Sequence, residues 1–354
     1  MELSVMFFGA DRAGPAAGPP DHAAAYEDIL AVARAADELG FAAVWTPERH
    51  FQEVGQVFPS PPVLSAALAV ATERIALRGG SVVLPLHHPL RVVEDWAVVD
   101  NLSHGRAGFS VATGWHSADF VLAPGHYDDR RARALRDIPL LRGLWAGETG
   151  EFTDGTGRTV AVRPQPTPVQ PTLPLWLTTS GSPATWEAAG RLRTGVLGAT
   201  VGHNRTDLAD RIARYREAYR AAPEQPGTPG RGTVTLMTHT FVGADDTEAR
   251  RLVEAPLKAY LASYVRQSTA NRGARPAAAP LDGRQLELLT EFAFERYLTW
   301  GSLLGSAATC AKTLADLREL GCDEVACFVD FGLGRDQILD SLHRLAALRK
   351  DLLT

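Results

Sequence analysis

Apolar and polar positions alternate along this chain between two periods. Leu3-Ser-Val-Met-Phe-Phe8 is a near-continuous apolar run, the mark of a buried strand. Tyr26, Ile29, Leu30, Ala33, Ala36 and Leu39 then recur at helical spacing up to Gly40, which reads as the C-terminal cap. The pairing returns as strand Phe41–Trp45 with helix Pro62–Ala71, and as strand Ile75–Leu84 with helix Leu90–Leu102. Strand Ala107–Thr113 follows with the arginine-rich helix Tyr127–Trp145. The rhythm breaks over Gly147–Pro174, rich in Gly, Pro and Thr, where Thr159–Arg163 reads as an excursion strand. It resumes with strand Leu175–Thr178 and a helix from Pro183, strand Gly195–Ala199 and helix Asp207–Arg220, and strand Thr233–Val242. Residues 245–305 read as mostly helical around a loop near 271–283. Helix Ala307–Leu320, strand Glu324–Phe331 and helix Asp336–Leu353 complete the pattern.

Eight strand–helix units in series predict an α/β fold of the closed (β/α)8 TIM-barrel type. The chain has 354 residues and such a barrel needs about 250, so the reading is one barrel domain over 1–354, with insertions near 147–174 and 245–305. A dinucleotide-binding sheet would need G-x-G-x-x-G after an early strand. The nearest match, Gly332-Leu-Gly334, is late and lacks its third glycine.

Composition narrows the chemistry. A net charge of −5 argues against a nucleic-acid-binding surface. No apolar run approaches the roughly 18 residues of a membrane span, and Met1–Gly9 lacks the basic start of a secretion signal. The expectation is a cytoplasmic protein with no membrane or nucleic-acid partner. Cys310, Cys322 and Cys327 have no metal-ligand spacing and read as reduced, packed thiols. Of 36 basic residues only Lys258, Lys312 and Lys350 are lysines, all in helix-forming surroundings, which argues against Schiff-base chemistry.

In a barrel of this kind the site lies at the C-terminal strand ends. After the second strand comes Trp45-Thr-Pro-Glu48-Arg49-His50-Phe51, a charged triplet between aromatics. Either it is catalytic or it is an ion pair over a satisfied histidine. Gly80-Ser81 interrupts the third strand, suiting close approach of a ligand or tight barrel packing. His87 and His88 are adjacent and project differently, a poor metal pair, and no clustered carboxylates support a metal site. The fourth strand ends in Thr113-Gly114-Trp115-His116. The fifth ends in Thr179-Ser180-Gly181-Ser182 before Pro183, either a phosphate-binding helix start or simply a well-capped helix. Together these loops describe an apolar pocket with one anion-binding corner, suited to a flat phosphorylated cofactor.

In these residues the sequence resembles the bacterial luciferase-like, flavin-dependent monooxygenases. The shared features are Trp45–Phe51, Ser81-Val-Val-Leu-Pro85 with His88-Pro89-Leu-Arg91, Asp100–Arg106, Gly114-Trp115 with Asp119-Phe120, and the Ser180-Gly-Ser-Pro turn. Leu77–His87, Trp96–Asn101, Asp119–Pro124 and Thr235–Gly243 look closer to the subgroup encoded beside nonribosomal peptide and polyketide synthetases. The resemblance implies a barrel that binds reduced FMN (FMNH2) and reacts it with O2, with a non-proline cis peptide at Gly80-Ser81. It implies phosphate binding by Thr179, Ser180 and Gly181, flavin contact at Thr113 and Gly114, and an apolar wall from Val196 and Leu197.

Two departures stand out. Arg49 occupies the place of a luciferase histidine, and Thr113 that of an arginine. His50 and His88 are therefore the expected proton-handling groups, with Arg49 or Arg91 holding an anionic substrate group or keeping Glu48 ionised. A flavin reductase is the expected partner, a small molecule or a carrier-protein-bound group the expected substrate, and a homodimer the expected assembly. The alternatives are F420-dependent hydride transfer on the same barrel and a non-catalytic flavin-binding barrel.

Overall fold

Strand residues of alternating direction sort themselves between two cores, and this sorting builds the molecule. The computed structural model describes residues 1–9, 21–51, 55–179, 181–270 and 282–353. Strand β1 (Glu2–Met6), helix α1 (His22–Glu38), β2 (Ala43–Thr46), α2 (Pro61–Ala71), β3 (Ala76–Val83) and α3 (Pro89–Leu102) come first. β4 (Ala107–Ala112) and α4 (Arg130–Trp145) follow. An antiparallel hairpin of β5 (Gly150–Thr153) and β6 (Thr159–Val162) then occupies the first insertion. β7 (Leu175–Thr178), α5 (Pro183–Arg191), β8 (Gly195–Ala199), α6 (Arg205–Ala221) and β9 (Val234–Val242) resume the alternation. The second insertion carries α7 (Asp246–Ala270), α8 (Gly283–Thr299) and β10 (Leu303–Gly305). α9 (Ala307–Glu319), β11 (Glu324–Phe328) and α10 (Arg335–Leu353) end the chain.

Eight parallel strands close in the order β9-β11-β1-β2-β3-β4-β7-β8, with β8 pairing back to β9. This is the predicted (β/α)8 barrel, and the strand and helix limits agree with the pattern to within a few residues. β5 and β10 are the exceptions. β5 lies in the stretch for which the pattern predicts one strand, Thr159–Arg163, and it pairs with that strand. In β10 three apolar residues at the end of a helical stretch carry no strand periodicity, yet they add in parallel to the outer end of β9.

Outward side chains such as Leu3, Val5, Val44, Leu77, Phe109, Val111, Leu177, Val196 and Leu236 join the helices in one continuous apolar layer. Inward ones form a second, smaller cluster of Met6, Ala43, Trp45, Trp176, Leu197 and Ala326. Burying a large apolar side chain contributes about 1.5–3 kcal/mol, so the outer layer dominates stability. The inner one shapes the floor beneath the strand ends. Gly195 is required there, because a Cβ would lie 2.3 Å from Trp176 Cδ1. No helix among the described residues is long and apolar enough to cross a membrane.

Candidate active site

A cavity of about 290 Å3 opens at the C-terminal strand ends. Its floor is Met6 and Gly80 above Trp45; a Cβ on Gly80 would meet Trp45 at 2.9 Å and Met6 at 3.2 Å. The peptide Gly80–Ser81 is cis, as expected from the resemblance. Ser81 hydrogen-bonds Thr178 through their hydroxyls, and Ser110 Oγ lies 2.5 Å from the same Thr178 Oγ1. A run of three hydroxyls thus joins β3, β7 and β4 across the floor.

One wall is the loop after β2. The Glu48 side chain is wholly buried, and its Oε1 lies 2.9 Å from His50 Nε2 and 2.6 Å from His87 Nε2. Its Oε2 accepts from the Val83 amide at 2.7 Å. Burial opposes ionisation, but these bonds and the charge on His87 outweigh it and hold the Glu48 carboxyl below its usual range. Burial likewise works against a charged His87, and Glu48, with Asp95 at longer range, reverses the balance and raises its pKa. Arg49 lies flat over Phe8, its Cζ 3.6 Å from the ring centre. Burial lowers its pKa against the pull of Tyr260, Tyr264, Asp330 and Asp119, yet a guanidinium stays charged.

The opposite wall comes from β7 and β8 and the residues that follow each. Thr179, Leu197, Gly198, Ala199, Val201 and His203 border the cavity there. The Gly181 amide donates to Thr179 Oγ1 at 3.2 Å, and a Cβ on Gly181 would lie 2.7 Å from His203. Ser182 sits at the N-cap of α5 without a side-chain cap bond, so its hydroxyl does not compete for the first helical amides. Burial lowers the pKa of His203, and Arg211 and Arg296 lower it further, against Asp207. Two arginines thus act on this end of the cavity. A helix start, a threonine hydroxyl and two nearby arginines suit a phosphate. The apolar floor between Met6, Leu197 and Met237 suits a flat ring.

The predicted site residues divide accordingly. Glu48, Arg49, Gly80, Ser81, Gly114, Thr179 and Leu197 border the cavity. His50 reaches it only through Glu48, and Gly181 through Thr179 and His203. Ser180 lies outside the described residues. Thr113 stands between the lining residues Ala112 and Gly114 without bordering the cavity itself.

Three predicted residues are placed elsewhere. Val196 faces the outer apolar layer, because its neighbour Leu197 takes the inward parity. His88 is exposed and caps α3, its Nδ1 accepting from Leu90 N–H at 3.3 Å. Arg91 is 69 % exposed and pairs with Asp95 at 2.7 Å.

His239 and the tyrosines of the second insertion, Tyr260, Tyr264 and Tyr297, border the cavity without having been expected there, and His87, weighed in the sequence only as half of a metal pair, bonds Glu48 instead. For His87 a signal existed: Pro89 as the first residue of α3 commits His88 to the cap and leaves His87 to turn inward. His239 lies in β9 at 3 % exposure, its ring 4.3 Å from Phe328 and 4.8 Å from Tyr297 by centroids. Neither of its ring nitrogens has a hydrogen-bond partner among the described residues. Among those residues no group of histidines, cysteines and carboxylates is arranged to hold a metal.

The sequence model described as luciferase-like monooxygenase matches residues 1–324. The oxygenase component of flavin-dependent trigonelline monooxygenase from Acinetobacter baylyi is 26 % identical over 330 residues, covering 90 % of this chain and 88 % of that protein. The crystal structure of monooxygenase RslO1 from Streptomyces bottropensis superposes over 100 % of both chains with a TM-score of 0.78 and 25 % identity. A Pseudomonas putida structure, the oxygenating constituent of 3,6-diketocamphane monooxygenase in complex with FMN, shares the fold. Its TM-score is 0.74 at 18 % identity, over 98 % of this chain and 96 % of that one.

Proposed function

The chain belongs to the luciferase-like monooxygenase family, and from this premise we propose that it is the oxygenase of a two-component flavin system. It takes reduced FMN from a separate flavin reductase and uses O2 to oxygenate a small organic or carrier-bound substrate in natural-product biosynthesis. One observation carries the reading. The cavity is bordered by Thr179 and His203 on one wall and, on another, by Glu48, a buried carboxylate held by two imidazoles. The name of the Acinetobacter relative, an oxygenase component, supports the need for a reductase partner.

Reduced flavin, when bound, supplies the electrons that activate O2. The protein does the rest. Thr179, Ser180 and Gly181 hold the phosphate, and Gly80, Ser81, Gly114 and Leu197 meet the ring. Glu48 is the ionised group nearest the proton transfers, with His50 fixing its second lone-pair direction. Arg49 carries the charge that meets an anionic part of the substrate. One barrel domain, assembled as a cytoplasmic homodimer, completes the picture.

The experiment is an anaerobic titration of the purified protein with FMN, reduced FMN and F420, followed by mixing with O2 while flavin absorbance is recorded. Preferential binding of reduced FMN and protein-dependent oxygen consumption are expected. Tight binding of F420 without oxygen consumption overturns the monooxygenase reading in favour of hydride transfer. Flavin binding with no turnover in either system would leave a non-catalytic barrel.

A further inference from the structure

Two hollows meet at a single hydrogen bond. The inner one is the cavity just described, bordered by Glu48. The outer one is a groove on the barrel rim between the start of α3, the turn at Leu122–His126 and α4, and it is bordered by His87. The chain passes from one to the other in five residues: Val83 borders the inner cavity, Pro85 and His87 the outer groove. The His87 side chain is 33 % exposed, whereas that of Glu48 is fully buried, and they join Nε2 to Oε1 at 2.6 Å.

We infer that His87 and Glu48 form a proton relay through the wall of the barrel, linking the outer groove to the reaction cavity. The inference deepens the proposed monooxygenase function and rests on it. His87, protonated at both ring nitrogens, gives its Nε2 proton to Glu48 Oε1: the Nε2–H bond breaks, an O–H bond forms, the ring becomes neutral and the carboxylate becomes a carboxylic acid. A hydronium ion in the groove then returns a proton to the ring and leaves water. Monooxygenation places one atom of O2 in the product and releases the other as water, so an oxygen atom in the cavity must be protonated in each turnover. His50, 2.9 Å from the same Oε1, is the competing acceptor and sets how readily Glu48 gives the proton up.

The geometry fits a relay better than a simple structural pair. Hydrogen bonds from His50 and the Val83 amide already hold Glu48 in place. The second imidazole is the one that reaches solvent. The charged groups around His87 are Glu48 from the β2 loop and Asp95 on α3. Across the groove are His126, Arg133, Arg136 and Asp137. His126 is tied to the Pro85 carbonyl at 2.7 Å, and Arg136 to Asp137 at 2.8 Å. That leaves His87 as the imidazole in contact with both the groove and Glu48.

The test is chemical rescue of His87→Ala. Wild-type protein is mixed with reduced FMN and O2 first, since absence of any protein-dependent reaction sinks the proposed function before the relay is at issue. Given that reaction, H87A should bind FMN normally and reoxidise bound reduced flavin more slowly, by about 100-fold or more. Added 4-methylimidazole should restore the rate in a saturable way, and should fail to do so in the double variant with Glu48→Gln. Wild-type rates in H87A at every pH, or a slow rate that 4-methylimidazole leaves unchanged, overturn the relay. Should H87A not fold, His87→Gln keeps a donor toward Glu48 without a titrating proton and should show the same loss. A readout independent of turnover is NMR titration of His87 in the flavin-free protein. Its midpoint should lie above that of a peptide histidine and fall in E48Q, and an ordinary midpoint in both proteins also overturns the relay.

Discussion

Arg78 and Glu324 meet across the inside of the barrel, one Nη1 lying 2.8 and 2.6 Å from the two carboxylate oxygens. Arg78 projects from β3 and Glu324 from the start of β11. The Arg78 guanidinium lies 5.0 Å from the Trp45 ring and 4.5 Å from the Trp176 ring. Ser4 Oγ and Trp45 Nε1 also donate to Glu324 Oε1, at 2.6 and 3.1 Å. This plug of charge and indole closes the barrel below the cavity and fixes the tryptophan over which Gly80 sits.

Removing one partner strands the other away from water. Arg78→Ala should cost about 3–5 kcal/mol, read as a lower urea midpoint with an unchanged slope. A loss below about 1 kcal/mol contradicts the assignment. The pair also sets a pH dependence. Burial raises the Glu324 pKa, but Arg78, Ser4 and Trp45 outweigh it and hold the carboxyl below its usual range. Its stabilisation is complete above the ordinary carboxyl pKa and is lost as pH falls through the lowered folded value. The stability gap between wild type and Glu324→Gln should therefore narrow on acidification.

His239 carries the opposite kind of cost. Burial alone pushes its pKa down to about 3, so the folded state keeps the ring neutral where the unfolded chain takes up a proton. Stability from this position is undiminished above the ordinary histidine pKa and falls as pH drops from there toward about 3. His239→Phe keeps an aromatic ring among Tyr260, Tyr297, Phe328 and Phe331 and removes two unpaired nitrogens. It should stabilise the protein by about 1–3 kcal/mol, and its advantage over wild type should grow between about pH 7 and about pH 5. A destabilised variant at both pH values would show that the nitrogens have a partner.

Asp330 holds the end of β1 beside the cavity residue Phe8. Its two oxygens accept from the Phe8 and Gly9 amides, each at 2.7 Å. Desolvation nonetheless pushes its pKa up to about 7, against those donors and Arg49. Between the ordinary carboxyl value and about 7 the folded state holds a proton that the unfolded chain has lost. This position therefore loses stability as pH rises through that window and is level above it. Asp330→Asn should flatten that slope, with denaturation midpoints at about pH 5 and about pH 8 as the measurement. Parallel pH profiles for the two proteins would contradict the shifted titration.

Much of this site was legible in the sequence, and the omissions have physical causes. The charged triplet Glu48-Arg49-His50 and the interruption Gly80-Ser81 break local patterns, so they stand out without coordinates. His87 did not, because choosing between adjacent histidines depends on where α3 begins. Thr178 and Ser110 read as ordinary strand residues; only barrel closure brings them onto Ser81. His239 sits in a strand whose neighbours are all buried, and Tyr260, Tyr264 and Tyr297 lie on helices of the second insertion. Their convergence on β9 is a tertiary event that no local period encodes. Val196 shows the remaining weakness: an apolar strand buried on both faces carries no alternation to reveal which side chain points inward.

That parity yields a clean test, because Val196 and Leu197 are sequence neighbours with opposite surroundings. Val196 is fully buried in the layer between strands and helices, and Leu197 borders the cavity beside Met237. Val196→Ala should lower stability on the order of 2 kcal/mol by opening a void, while flavin affinity is unchanged. Leu197→Trp adds volume on the cavity side, where open space exists, so the fold should be retained. The ring would then occupy space proposed for the flavin, and binding of reduced FMN should weaken tenfold or more, about 1.4 kcal/mol. Equilibrium titration and thermal denaturation of both variants separate the two effects. If V196A weakens flavin binding while L197W does not, the inward register of β8 is wrong, and with it the placement of the flavin ring against this wall.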